Sequence, residues 1–196
     1  TENIILASVL GNHEVILNNP AIEPEIKDLI MFLNKSGANI KWLDSKAIKI
    51  IGVKSLKEVT YKIMPDRIEA GTYIIIGALC GNPLKIDNII PEHVDSLISK
   101  LEEIGVDIQV GADYVIVTRG EKYKSTNVKT AVYPGFPTDL QQPFTVLLTQ
   151  SNGKSKVTET IWENRFMHIP YLKDLGANIS VKNQTATIIG PTKLKG

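Results

Sequence analysis

The chain has a single cysteine, Cys80, so no internal disulfide can staple it, and a reducing compartment fits. It also has no excess charge of one sign. Its 22 basic and 21 acidic residues leave a net +1, which excludes the basic field of a nucleic-acid binder and the polybasic patch of a membrane-surface protein. The longest apolar run, residues 73–80, falls far short of the roughly 20 residues that cross a bilayer. No basic segment precedes the short apolar stretch 4–10, which therefore does not read as a signal peptide. The three histidines, His13, His93 and His168, stand at no metal-ligand spacing, so no metal is expected. Walker, GxGxxG and GxSxG sequences are missing, and no cofactor is expected either. These absences describe a cytoplasmic protein with no nucleic-acid or membrane partner.

What is present is repetition. LNKSGANI (33–40), LEEIGVDI (101–108) and LKDLGANI (172–179) align on Gly37, Gly105 and Gly176. A second glycine follows each of these at the end of an apolar strand: Gly52, Gly120 and Gly190. Each unit reads as an apolar helix (4–10, 68–80, 140–149), a turn (Gly11-Asn12, Gly81-Asn82, Asn152-Gly153) and a short strand (14–17, 84–86, 156–160). An amphipathic helix then runs to the repeat glycine, which is expected in the left-handed C′ position, and two alternating strands close the unit. Val94, Leu97, Ile98, Leu101 and Ile104 make a helical core stripe, echoed by Ile26, Leu29, Ile30 and Leu33. The first helix of each unit is apolar almost all round, as expected of a buried helix. Cys80, closing such a helix, reads as a buried small hydrophobe. Segments 54–65 and 121–132 read as linkers, the second with a solvated run of lysines. The first unit is short at its start, so the chain is expected to be part of something longer.

The third unit departs from the pattern. Pro170 lies where helix should be, so its second helix is expected to start late, with residues 163–168 in a loop or a separate turn. Arg165 and His168 replace core positions of the other units. Either the register slips and both meet solvent, or Trp162, Arg165 and His168 face a cleft near Asp139.

That aspartate lies in YPGFPTDLQQPF (133–144), a stiff Pro/Gly loop that presents a hydroxyl and a carboxylate, Thr138 and Asp139, ahead of an apolar helix. Asp139 can be a simple helix N-cap, or it can hold or deprotonate a ligand hydroxyl. The cluster Asp66, Arg67 and Glu69 similarly reads as helix capping with an Asp–Arg pair.

With PDRIEAGTY (65–73), TETIWENRFMHIPYLKDLGA (158–177) and EPEIKDLIMFLNKSGA (23–38), this loop resembles the UDP-N-acetylglucosamine branch of the enolpyruvyl (1-carboxyvinyl) transferase family over nearly the whole chain. The resemblance implies an α+β fold: three tandem βαβαββ-like units of the inside-out α/β barrel type, helices inward and sheets outward. Residues 1–64 would be the closing unit of one domain, truncated at its start, and 65–196 two units of the other. It implies transfer of the enolpyruvyl group of phosphoenolpyruvate to the 3-hydroxyl of UDP-N-acetylglucosamine, with phosphate release. Carried over by motif, Asp139 is the catalytic carboxylate with Thr138 beside it, Ile161 contacts the sugar nucleotide, and Arg165 helps with the anionic phosphoenolpyruvate. Asp66, Arg67 and Glu69 would lie at the hinge between domains. The family's reactive cysteine lies upstream of Thr1, so Cys80 is not its counterpart. The family's Lys-Asn pair, Ser-Val-Gly run and a later arginine are also missing. The partner implied is therefore the remainder of the same enzyme, and this polypeptide alone is expected to be nearly inactive. The shikimate 3-phosphate enzyme of the same family, which should lack PGFPTDLQ and ENRFMH, and a non-catalytic repeat scaffold are the alternatives.

Overall fold

Each of the three repeat glycines stands just past a helix with positive φ: +98° at Gly37, +92° at Gly105 and +102° at Gly176. One pair of hydrogen bonds recurs at each of these sites. Ala38, Val106 and Ala177 N–H reach back to Leu33, Leu101 and Leu172 carbonyls, while the glycines bond to Asn34, Glu102 and Lys173. This is the Schellman arrangement, which ties off the last helical carbonyls and needs a residue without a Cβ penalty at C′. The repeat read from the sequence is thus a repeated way of ending a helix and turning into a strand.

The computed structural model describes all 196 residues, and they divide into two units, Thr1–Met64 and Pro65–Gly196. The first contains α1 (Glu2–Val9), β1 (Glu14–Asn18), α2 (Pro24–Lys35), β2 (Asn39–Asp44) and β3 (Ala47–Ile51). The second runs through the same order twice. It begins with α3 (Arg67–Cys80), β4 (Leu84–Asp87), α4 (Asp95–Ile104), β5 (Asp107–Val110) and β6 (Tyr114–Thr118). Two short strands follow, β7 (Tyr123–Lys124) and β8 (Asn127–Lys129). The last set is α5 (Gln141–Leu148), β9 (Ser151–Thr158), α6 (Ile169–Asp174), β10 (Asn178–Lys182) and β11 (Thr185–Gly190). In each set the closing strand lies between the other two and antiparallel to both: β1-β3-β2, β4-β6-β5 and β10-β11-β9. The last is part of a five-stranded sheet in which β7 and β8 also pair with β9.

The helical stripes are core. In the first unit Ile26, Ile30 and Leu33 pack with Ile5, Val9, Ile40, Ile48 and Ile50. In the second, Val94, Leu97, Ile98, Leu101 and Ile104 join a single cluster that continues through Ile74, Phe144, Leu147, Leu148 and Ile188. Each such side chain contributes about 1.5–3 kcal/mol by leaving water.

Four expectations need correction. The first helices are not buried all round: α1 covers Ile5 and Val9 but leaves Ile4 and Leu6 half exposed, and α3 leaves Tyr73 and Ile76 so. One sheet can cover only one face of a helix. Cys80 is exposed, because it ends α3 and turns outward. Segment 121–132 is no mere linker, since β7 and β8 pair in parallel with β9. The turn expected at Asn152-Gly153 lies inside β9, which runs Ser151–Thr158. There β7 supplies partners for Ser151 and Asn152, and Gly153 bends the strand at φ +111°.

Candidate active site

The Pro/Gly loop is held from several sides. Ala131 N–H donates to Phe136 O at 2.9 Å, Gly135 N–H to Val132 O at 2.8 Å, and Ser96 Oγ to Gly135 O at 3.3 Å. A Cβ on Gly135 would come within 3.0 Å of Val132 O and closer still to the Ala131 methyl, so a side chain there would push the loop off its seat. Phe136 is buried edge-to-face against Phe144 of α5, their ring centroids 5.2 Å apart. The Tyr133–Pro134 peptide is cis. A single 3₁₀ turn, Thr138–Leu140, then leads into α5.

Asp139 is not a cap. The turn makes no side-chain capping bond, and Asp139 Oδ1 instead accepts from the Arg165 guanidinium in an ion pair. Arg165 Nη1 donates to Thr138 Oγ1 at 3.1 Å. With its amide oxygen turned toward Arg165, Gln142 accepts from Nε at 2.9 Å and its amide nitrogen donates to Thr138 O at 3.2 Å. Each of the three guanidinium nitrogens thus donates once to a residue of the Thr138 turn or the first turn of α5, which engages three of the five N–H donors of the planar fork.

An open cleft of about 780 Å³ is lined by Asp139, Ile161, Trp162, Glu163, Asn164 and Arg165. The structure therefore brings Asp139, Arg165, Ile161 and Trp162 together, with Thr138 hydrogen-bonded to the Arg165 that lines it. It does not bring in His168. That ring stands 6.3 Å from Phe166, and burial pushes its pKa down. His168 directly precedes α6, whose Pro170 sits in the first turn, and so it is drawn toward the packed side. Residues 159–168 form no helix or strand, as Pro170 led us to expect.

Asp66 caps α3, accepting from Ile68 N–H at 2.7 Å and Glu69 N–H at 3.1 Å. Arg67 lies 5.7 Å over the Tyr133 ring, so this cluster reaches the root of the Pro/Gly loop.

Sequence reasoning passed over Glu159. Its side chain is 1 % exposed and accepts four hydrogen bonds. Oε1 takes Thr130 Oγ1 at 2.8 Å, Ile161 N–H at 2.8 Å and Trp162 N–H at 3.2 Å, and Oε2 takes Thr138 Oγ1 at 2.7 Å. Burial alone would raise its pKa. The donors from Thr138, Ile161, Thr130 and Trp162 outweigh that and hold the carboxyl below its usual value. A folded-state pKa below the unfolded one contributes stability that is fully present above the unfolded value, about 4.3, and is lost as pH falls through the folded one. Glu159→Gln should therefore flatten the acid limb of the melting-temperature profile between about pH 5 and pH 3. An unchanged acid limb would show that this carboxylate is not ionised in the fold. The signal in the sequence was slight: an acidic residue between two threonines at the end of a strand.

The chain belongs to the EPSP synthase (3-phosphoshikimate 1-carboxyvinyltransferase) family, whose model matches residues 1–196. Within that class of enolpyruvyl transferases, its similar curated relatives are UDP-N-acetylglucosamine 1-carboxyvinyltransferases. One from Clostridium botulinum is 48% identical over 196 residues, covering 100% of this chain and 47% of the relative. One from Bacillus subtilis is 49% identical over 197 residues, covering 100% of this chain and 46% of the relative. The chain spans about half the length of these proteins. Among solved structures, the enolpyruvyl transferase NikO from Streptomyces tendae superposes with a TM-score of 0.85 at 25% identity, over 95% of this chain and 45% of NikO. EPSP synthase from Acinetobacter baumannii, at 14% identity, shares the fold with a TM-score of 0.53 over 98% of this chain and 45% of that one. No helix of the chain is long and apolar enough to cross a membrane.

Proposed function

We propose that this chain is part of a transferase that moves the enolpyruvyl group of phosphoenolpyruvate to the 3-hydroxyl of UDP-N-acetylglucosamine, a step in building peptidoglycan, in the cytoplasm. The observation that carries the reading is identity of 46–49% to enzymes of that name along the whole chain. The cleft supplies chemistry that suits it. The attacking sugar oxygen must lose a proton as it bonds to C2 of phosphoenolpyruvate while C3 gains one. The tetrahedral adduct then loses a proton from the C3 methyl and expels phosphate from C2. In this reading Asp139 orients the sugar hydroxyl and takes its proton, with the Thr138 hydroxyl beside it. Arg165 is the cation for the substrate's phosphate and carboxylate, its fork suited to paired oxygens. Ile161, lining the cleft, offers the sugar nucleotide an apolar contact. In the same reading the units are of the inside-out α/β type with helices inward, residues 1–64 and 65–196 belong to different domains, and Asp66, Arg67 and Glu69 support the hinge.

The shikimate 3-phosphate enzyme shares the fold and gives the family model its name. Yet the Acinetobacter example is only 14% identical, against nearly half for the sugar-nucleotide enzymes. A protein of the relatives' full length carrying this segment should release phosphate from phosphoenolpyruvate when UDP-N-acetylglucosamine is added, and not when shikimate 3-phosphate is added. The reverse preference, or no release with either, would overturn the reading.

A further inference from the structure

Glu159 joins two pieces of backbone that meet at the cleft, and the chemistry of its neighbours fixes a direction. A carboxylate can only accept, and a threonine hydroxyl has one proton to give. The Thr138 proton therefore goes to Glu159 Oε2, 2.7 Å away, which leaves an Oγ1 lone pair for the Arg165 Nη1 donor at 3.1 Å. Through that one hydroxyl a buried charge determines which way Thr138 is polarised and so how the Arg165 guanidinium is seated against Asp139 and Gln142. The other oxygen of the same carboxylate holds Ile161 and Trp162 by their N–H groups, and both of those residues line the cleft.

We infer that Glu159 is a positioning residue, acting through the Thr138 hydroxyl to orient Arg165 toward an anionic substrate while pinning the Ile161–Trp162 wall of the cleft. The kinetic consequence rests on the transferase reading above; the orientation of Arg165 does not. Glu159 touches no substrate in this scheme. Its chemistry is that of a fixed, ionised acceptor, which neither moves nor takes up a proton.

The substitution Glu159→Gln separates this role from simple packing. The amide oxygen can still serve Thr130, Ile161 and Trp162, but the amide N–H₂ then faces Thr138 Oγ1 and leaves its proton without an acceptor. Thr138→Val removes the relay hydroxyl at nearly constant volume. In a full-length protein carrying this segment, each change should lower kcat/KM for phosphoenolpyruvate by about 10²-fold, the scale of a misplaced reacting group. The two together should be little worse than Thr138→Val alone, because both act on one interaction. Multiplicative losses in the double variant would overturn the relay, since a packing role would add independently. A second measurement needs no turnover: the ¹⁵N resonance of Arg165 Nε–H, followed in this chain. It should shift or broaden in both variants, and an unmoved resonance in Thr138→Val overturns the inference even if Glu159→Gln fails to fold. Absence of turnover in the unsubstituted full-length protein would defeat the functional reading, and the resonance would still decide the role of Glu159.

Discussion

Replacing Asp139 with Asn is expected to lower kcat by about 10²–10⁴ in a full-length transferase carrying this segment, the usual scale for a general acid–base group. The fold should hardly notice. Asp139 makes no capping bond, so nothing of that kind is lost. Its ion pair with Arg165 is half exposed, and such pairs contribute roughly 0–1 kcal/mol. Asn can still accept from Arg165, and its carbonyl can still accept from a sugar hydroxyl, but it cannot take the proton. Rate and stability should therefore part company. Melting temperature and kcat measured on the same preparation test this. A near-normal kcat would remove the base role and leave Asp139 as an anchor for Arg165, whereas an unfolded variant would mean the carboxylate holds the loop.

The site was half legible. Asp139, Thr138 and Arg165 stood out because they break local rules: a carboxylate after a stiff loop, and a cation where a repeat wants an apolar core residue. Such breaks survive in the sequence as misfits. Glu159 breaks no pattern, since an acidic residue at a strand end is ordinary on a surface. What makes it unusual is burial, and burial here depends on Thr130 and Thr138, 29 and 21 residues away, folding against it. His168 failed in the opposite direction. It was a misfit by repeat alignment, but the late start of α6 turned it from the cleft.

The repeats were legible for a physical reason. A Schellman turn needs its glycine, so a glycine marks the ends of α2, α4 and α6 even where neighbouring residues differ. Strands β7 and β8 were not legible, because runs of two and three residues cannot show an alternation. They exist because β9 is long enough to offer a free edge to a chain passing beside it, and that edge is where Tyr123 and Val128 become buried. Tyr123 also shows what such a strand anchors: its hydroxyl donates to Ala78 O of α3 and accepts from Gly120 N–H at 3.0 Å.

Phe144→Ala is expected to cost about 3–5 kcal/mol, a large share of the roughly 5–15 kcal/mol that holds an ordinary domain. The ring is fully buried, and it is the surface on which Phe136 of the Pro/Gly loop rests. Removing it leaves a cavity between α5 and the loop, and the Ala131–Phe136 hydrogen bond loses its backing. Amide exchange should therefore quicken at Ala131 and Gly135 as well as at Leu147 and Leu148. Phe144→Leu keeps most of the volume and should cost less than about 1.5 kcal/mol, with little change in loop exchange. Denaturant unfolding gives the energies, and exchange shows where they fall. If Phe144→Ala loosens α5 while the loop amides stay protected, the loop is held by Ser96 and its own turn bonds, and the ring pair is incidental to presenting Thr138 and Asp139. If both loosen together, the geometry of the cleft is set by the hydrophobic core beneath it, and a substitution that touches no polar group can misplace the carboxylate.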